Sequence, residues 1–355
     1  MTRYQIVEIT ENFNHAGTKA TADIAVVAES MGFTRVPVSM DTTVDSSVGK
    51  LIRQKGYFRD WNLAYKTIEP NSIVLLQHPF HHKQLTREKI LWRLKNIKNV
   101  RFISLIHDVE ELRAFRYNDY YAHEFQTMLA LADVIIVHNH SMKQWFLEQG
   151  VEREKLITLE IFDYLYDDTG NKEYHYSRSI TVAGNLDTEK CGYIGQLGGL
   201  KEIPIDLYGP NFDESLNAFT NISYHGSFPS DEVPYQLDKG FGLVWDGESI
   251  EGCLGLSGQY LRYNNPHKLS LYIASGIPVV IWKEAAEAEF VSKNHLGLCV
   301  DNLHEMQDQL NQLTEEDYRE IRESVKSVKQ KLLSGTFARK ALEEALNLLD
   351  KDPLE

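Results

Sequence analysis

Short apolar runs alternate with longer stretches of helical periodicity along this chain, and the series occurs twice. That alternation commits a chain to βαβ units, because parallel strands need a crossover and the crossover buries its apolar stripe on the sheet. The first series predicts strands over 4–9 (YQIVEI), 72–77 (SIVLLQ), 100–106 (VRFISLI), 133–138 (DVIIVH) and 155–161 (KLITLEI). Between them, 19–32 and 141–150 read as helices, each closed by a glycine. A polar, turn-rich stretch, YDDTGNKEYHYS (166–177), reads as a linker. The second series predicts strands over 178–186, 203–210, 221–226, 241–247, 277–282 and 296–301, with one or two closing helices over 314–350. The expected fold class is α/β: two Rossmann-like domains, 1–168 and 176–335, with parallel sheets facing a central cleft where a ligand would bind.

With 355 residues, 43% hydrophobic and 25% charged, there is material for two domains, each with its own core. No apolar run approaches the roughly eighteen residues of a membrane span, and no cleavable leader is legible. The expected location is therefore the cytoplasm. Cys191, Cys253 and Cys299 fit neither a disulfide framework nor a zinc spacing. The net charge of −14 is unevenly placed: Lys and Arg number 21 against 23 Asp and Glu over residues 1–175, and 16 against 28 over 176–355. Residues 50–101 carry 12 basic and 3 acidic side chains, with Trp61, Tyr65, Phe80 and Trp92 interleaved. Such a run is either solvated helix face or a surface for an anionic membrane or lipid-linked substrate. Nucleic acid is not the expected partner of an acidic chain without a recognition module. A homo-oligomer is compatible with the pattern.

The stretch YLRYNNPHKLSLYIASGIPVVIW (260–282) carries the most chemistry. Asn265 predicts an N-cap, Pro266 the first helical position and Lys268 the first turn; Leu269 opens the buried face and Gly276 ends the helix. A helix N-terminus with a lysine in its first turn suits a phosphate or diphosphate. Asn264, Asn265 and His267 then stand ready to bond sugar or phosphate oxygens; a well-capped structural helix is the competing reading. VAGNL (182–186), followed by Lys190, reads as a βα turn, either an ordinary one, which the motif by itself favours, or one that a ligand can approach closely. LYGP (207–210) puts Tyr208 at a strand end, either to stack on a base or merely to precede a β-turn. NHAGTKA (14–20) sets Gly17, Thr18 and Lys19 in the connection from the first strand to the first helix, without a dinucleotide or P-loop fingerprint. LIHDVEELR (105–113) ends a strand with His107 and Asp108, a pair suited to general-base work unless Asp108 is simply a helix cap. QHPFHHK (77–83) has three histidines but no partnering carboxylate, so no metal site is expected. The D-x-D formed by Asp350 and Asp352 lies in the tail, a poor place for a metal–diphosphate bridge.

Together, ADVIIVHN, IFDYL, AGNL…KC, FGLVWDG and YNNPHKLSLY resemble bacterial glycosyltransferases of the GT-B fold over nearly the whole chain. The nearer likeness is to β-1,6-galactofuranosyltransferases of O-antigen and capsule synthesis. A more distant one is to the glucosyltransferase 3 type that extends GlcNAc on serine-rich adhesins. The resemblance implies a UDP-sugar held by the C-terminal domain and an acceptor held by the N-terminal one. It carries donor contacts onto Thr18, Lys190, Tyr208 and the run Asn264, Asn265, Pro266, His267, Lys268 and Leu269. It also implies that the final helix, 336–355, crosses back to the N-terminal domain.

The expected chemistry needs no metal cofactor: Lys190, Lys268 and the helix N-terminus would stabilise the departing diphosphate. Asp108 is the expected base, with His107 and Asp246 as rivals, and displacement would invert the sugar. The leading expectation is transfer of galactofuranose from UDP-galactofuranose to a lipid-linked O-antigen or capsule intermediate, with peripheral contact at the inner membrane face through 50–101. The alternatives are a UDP-glucose-dependent enzyme extending GlcNAc on a glycoprotein adhesin, and a nucleotide-sugar-binding regulatory protein without catalysis.

Overall fold

Parallel pairing organises both halves of the chain. The computed structural model describes residues 1–355 except 11–15, 41–46, 115–116, 171 and 352–355, and omits the side chains of 10, 16, 17, 40, 47, 48, 50 and 51. Residues Met1–Leu159 with Ala338–Glu355 form unit 1, and Glu160–Phe337 form unit 2.

Unit 1 contains strands β1 (Arg3–Thr10), β2 (Phe33–Met40), β3 (Ile73–His78), β4 (Arg101–Ile106), β5 (Val134–Val137) and β6 (Leu156–Thr158). They pair in parallel in the order β2-β1-β3-β4-β5-β6. Helices α1 (Ala16–Ser30), α2 (Ser47–Thr67), α3 (Arg87–Lys98), α4 (Glu110–Arg113), α5 (Asp119–Leu131) and α6 (His140–Glu148) supply the crossovers. Central strands β4 and β5 are buried at every position, as a parallel sheet covered on both faces requires. Strand β2 was not anticipated. Its Pro37 and alternating polar residues weaken the strand signal, and both are tolerated because β2 is an edge strand of which, among the described side chains, Phe33, Val36 and Val38 are buried.

Unit 2 contains β7 (His175–Ala183), β8 (Ile205–Tyr208), β9 (Ile222–Tyr224), β10 (Lys239–Val244), β11 (Val279–Trp282) and β12 (Gly297–Val300), all parallel, in the order β12-β11-β10-β7-β8-β9. Its helices are α7 (Val233–Gln236), α8 (Gly255–Tyr260), α9 (His267–Ser275), α10 (Ala288–Lys293), α11 (Leu303–Gln312) and α12 (Glu315–Leu333); α13 (Thr336–Lys351) closes the chain. Renumbered from its own first strand, this sheet runs 3-2-1-4-5-6, the Rossmann order, whereas unit 1 begins 2-1-3-4-5, the flavodoxin-like order.

Two expected boundaries shift. Strand β7 starts at His175, inside the stretch read as a linker. The units part at Leu159/Glu160 rather than at 168, because Ile161 and Tyr164 are buried in the unit 2 core.

Candidate active site

The strand order of unit 2 reverses between β7 and β10: the chain steps from β7 out to β8 and β9, then returns to β10 on the other side. Loops leaving the carboxyl ends of two such strands diverge and open a crevice, the usual ligand position in an open α/β sheet. Gly184 follows β7 at φ +144 and Gly209 follows β8 at φ +146. A Cβ on Gly209 would lie 1.7 Å from the Gly184 carbonyl oxygen, so only glycine lets these turns meet. The β7 and β10 loops are joined through the Tyr193 N–H, which donates to the Gly247 carbonyl at 3.3 Å, and the Cys191 thiol, 3.7 Å from Asp246 Oδ1.

Helix α9 begins at this crevice, following the β10 loop and leading into β11. Lys268, in its first turn, donates from Nζ to the Trp245 carbonyl at 2.7 Å and sits 3.5 Å from Asp246 Oδ2. Asp246 Oδ1 accepts the Gly247 N–H at 3.0 Å. Burial alone would discourage the ammonium, but the Asp246 carboxylate together with Cys191, Tyr272 and Cys253 outweighs it, and Lys268 titrates above ordinary lysine. Burial, with Asp246 beside it, pushes the Cys191 thiol up to about 11. The Tyr272 hydroxyl of α9 accepts the Ala183 N–H at 2.8 Å and so ties the helix to the end of β7. A fixed cation, a helix N-terminus and close-approach glycine turns are the chemistry that suits an anionic group such as a diphosphate.

The polar residues ahead of Lys268 are placed differently from expectation. Helix α9 starts at His267 with Pro266 as its extended N-cap, so Asn265 is not the cap and Pro266 is not the first helical residue. Asn265 is buried and donates from Nδ2 to the Glu160 carbonyl at 3.1 Å, pinning the start of unit 2. The His267 ring stacks on Tyr164 at 5.0 Å and meets Phe162 edge-on, while Leu269 is fully buried. Asn264 lies half-buried one turn beyond Tyr260, its N–H on the Tyr260 carbonyl at 3.0 Å. Tyr208 ends β8 with one ring face stacked on His225 at 4.7 Å. Lys190 is exposed and pairs with Asp187 at 3.2 Å.

In unit 1, Thr18 and Lys19 belong to the first turn of α1 rather than to a loop, and Lys19 is buried against Asp23 at 2.7 Å. Asn14 and His15 lie outside the described residues. His107 follows β4 with Nε2 2.7 Å from Gln77 Oε1, and Asp108 is held by Arg113 Nη1 at 3.0 Å. Asp108 is not a helix cap, since α4 is preceded by Val109. The histidines at 78, 81 and 82 diverge: His78 turns inward to Glu124, and His81 packs edge-on against Tyr121. Among the described residues, no group of three or more His, Cys, Asp or Glu is arranged to hold a metal ion.

A buried polar network at the carboxyl end of the unit 1 sheet escaped sequence reasoning. Glu124 sits 3.0 Å from His78 Nε2 and 3.6 Å from Arg87 Nη2, and Oε1 accepts the Phe80 N–H at 3.3 Å. Gln84 bridges Trp61 Nε1 at 2.6 Å to Glu8 Oε1 at 2.5 Å, and burial lifts Glu8 to about 7. The available signal was Glu124 lying on the apolar stripe of α5 with Tyr121, Phe125 and Met128. Beside the network, a small cavity of about 10 Å³, the room of about one water, is lined by His78, Pro79, Glu110, Glu111, Tyr121 and Glu124, among others.

Residues 3–161 match the family described as Glucosyltransferase 3-like, N-terminal domain, and 180–345 match Glucosyltransferase 3-like, C-terminal domain. The β-1,6-galactofuranosyltransferase WbbI of Escherichia coli K12 is 34% identical over 278 residues, 76% of each chain. Glucosyltransferase 3 of Streptococcus gordonii is 26% identical over 345 residues, 96% of this chain and 98% of that one. Among solved structures, Anabaena Alr3699/HepE in complex with UDP and glucose shares the fold at a TM-score of 0.59 and 11% identity, over 98% of this chain and 99% of that one.

Proposed function

The chain belongs to the glucosyltransferase 3-like family of GT-B glycosyltransferases, and from that premise we propose a hexosyltransferase whose UDP-sugar donor rests at the β7/β10 crevice of unit 2. The observation that carries this reading is Lys268, a lysine held charged at a helix N-terminus by Asp246 and the Trp245 carbonyl. As the glycosidic bond to the diphosphate breaks, negative charge grows on the leaving UDP. Lys268 and the first N–H groups of α9 stabilise that charge without reorganising, and no metal is required of the mechanism. Asp246 holds Lys268 in place, which suits it better to positioning than to proton abstraction. Tyr208 and Lys190 flank the same edge of the sheet and are assigned to the nucleotide.

The acceptor is assigned to unit 1. Asp108 takes the proton of the attacking hydroxyl, Arg113 orients its carboxylate, and His107 is the nearest rival. Attack opposite the leaving group inverts the anomeric centre.

The 34% identity to a β-1,6-galactofuranosyltransferase supports galactofuranose as the transferred sugar, on a lipid-linked O-antigen or capsule intermediate. The near full-length likeness to Glucosyltransferase 3 supports a second reading, UDP-glucose-dependent extension of a glycoprotein. Calorimetry with UDP, UDP-glucose, UDP-galactose and UDP-galactofuranose separates them. The first reading expects UDP-galactofuranose to bind and turn over in preference to the other sugars; preference for UDP-glucose replaces it with the second. Failure to bind any of the four removes the enzymatic reading in favour of a regulatory protein with another ligand.

A further inference from the structure

Helix α2 is apolar on both sides. Its inner side, Tyr57, Trp61 and Ala64, is buried in the unit 1 core, as is Ile68 just past its end. Its outer side leaves Ile52, Phe58 and Leu63 at 59, 59 and 56% exposure. At 3.6 residues per turn these share the outward half of the helix with Lys55, Arg59 and Lys66, all exposed. Leu85, 65% exposed, adjoins them, because its N–H donates to Gln54 Oε1 at 3.0 Å and Gln54 Nε2 donates to the Lys83 carbonyl at 2.9 Å. Helix α3 lies alongside: Lys98 Nζ reaches the Tyr65 and Ile68 carbonyls, and Arg93 covers the Tyr65 ring at 4.3 Å. One turn beyond Arg93, Ile97 is 67% exposed.

The aromatic residues first noticed in this segment are not the ones on the surface. Trp61 and Phe80 are buried, and Tyr65 and Trp92 pack against the core. The exposed apolar side chains are aliphatic apart from Phe58, and basic residues separate them. The three acidic residues of 50–101 are each engaged. Asp60 is buried on Arg59 and the Ser39 N–H, Glu69 accepts the Thr2 hydroxyl, and Glu88 meets His123 at 2.9 Å.

We infer that this face of α2 and α3, with the Lys83–Leu85 turn, docks on an anionic lipid bilayer. Interleaved large apolar and basic side chains match the bilayer interface, where the apolar tips enter the acyl boundary and the cations meet headgroups. A symmetric pairing of two copies through this face would set like charges against each other. A nucleic acid would satisfy the cations but leave the aliphatic tips in water. The contact is peripheral: among the described residues no helix is long and apolar enough to cross a membrane. The inference deepens the lipid-linked acceptor in the function proposed above and rests on that reading for its purpose.

The test is flotation of the full chain with vesicles of phosphatidylcholine alone or mixed with phosphatidylglycerol, neither containing any sugar acceptor, so the result does not depend on the transfer reaction. Binding to the anionic vesicles is expected to exceed binding to the neutral ones by about tenfold and to fall in high salt. The variants Phe58→Ser/Leu63→Ser and Lys55→Glu/Lys66→Glu should each lower it about tenfold while keeping the wild-type affinity for UDP. Equal binding to both vesicle types, no binding, or variants that float like the wild type would overturn the inference. So would a change in oligomeric state of the serine variant, which would give the face to a second copy of the chain.

Discussion

Two titrating residues translate their surroundings into measurable behaviour. Cys191 sits beside Asp246 with its thiol lifted to about 11 from 9. At pH 8 its thiolate fraction should be about a hundredfold below that of an ordinary cysteine. Maleimide labelling followed by mass spectrometry should therefore find Cys191 slow, and Asp246→Asn should speed it. Glu8 behaves in the opposite direction to a salt-bridged carboxylate. Burial raises it from 4.5 to about 7, with Glu124 adding to the rise and Arg87 and Gln84 opposing it. The protonated form is the one the fold favours, so its contribution is complete below about pH 4.5 and is lost as pH rises through 7. Urea unfolding of unit 1 should show about 2.5 kcal/mol less stability at pH 8 than at pH 5 from this group. Glu8→Gln should flatten that slope. Among single residues, the place of Lys268 in the first turn of α9 was legible in advance, because Pro266 and the apolar run after it mark where the helix begins. The intramolecular partners of Asn265 and His267, the Glu160 carbonyl and Tyr164, were not legible because they lie about 100 positions away in sequence. No local spacing encodes them.

At the scale of elements, the crevice depends on how closely backbone segments approach. The β7 and β8 turns meet at Gly184 and Gly209, and the Tyr272 ring rests on Gly242 of β10, where a Cβ would come within 2.0 Å of it. Gly209→Ala combines a clash with a peptide carbonyl and a φ of +146. It should destabilise unit 2 by more than about 2 kcal/mol, read as a lower thermal midpoint, and weaken UDP binding in the fraction that folds. The buried strands were legible because parallel sheets demand continuous apolar runs. β2 was not, since an edge strand is satisfied by three inward residues and tolerates Pro37. The start of β7 hid in a polar stretch for a similar reason: His175 is exposed, and Tyr176 and Ser177 are only half-buried.

At the scale of the molecule, each unit has its own core and its own strand order, and the chain returns to unit 1 for its last helix. From Ala338 onward, α13 buries Ala341, Leu342, Ala345, Leu346 and Leu349, and the Leu349 carbonyl accepts a hydrogen bond from the buried Arg101. A chain ending at Phe337 should keep unit 2 and lose much of unit 1, seen as rapid proteolysis of 1–159 and a melting point lower by roughly 10 °C or more. The two-domain plan was visible in the doubled βαβ series. The two different strand orders were not, because adjacency in a parallel sheet is decided by crossovers whose lengths overlap.

The central claim is that a UDP-sugar is held at the β7/β10 crevice through Lys268. Calorimetric titration of UDP into the wild type and Lys268→Ala, with circular dichroism to verify the fold, tests it directly. Losing a charge-assisted contact to the diphosphate should weaken UDP by about 10- to 100-fold. A folded Lys268→Ala variant that binds UDP as tightly as the wild type would contradict the account.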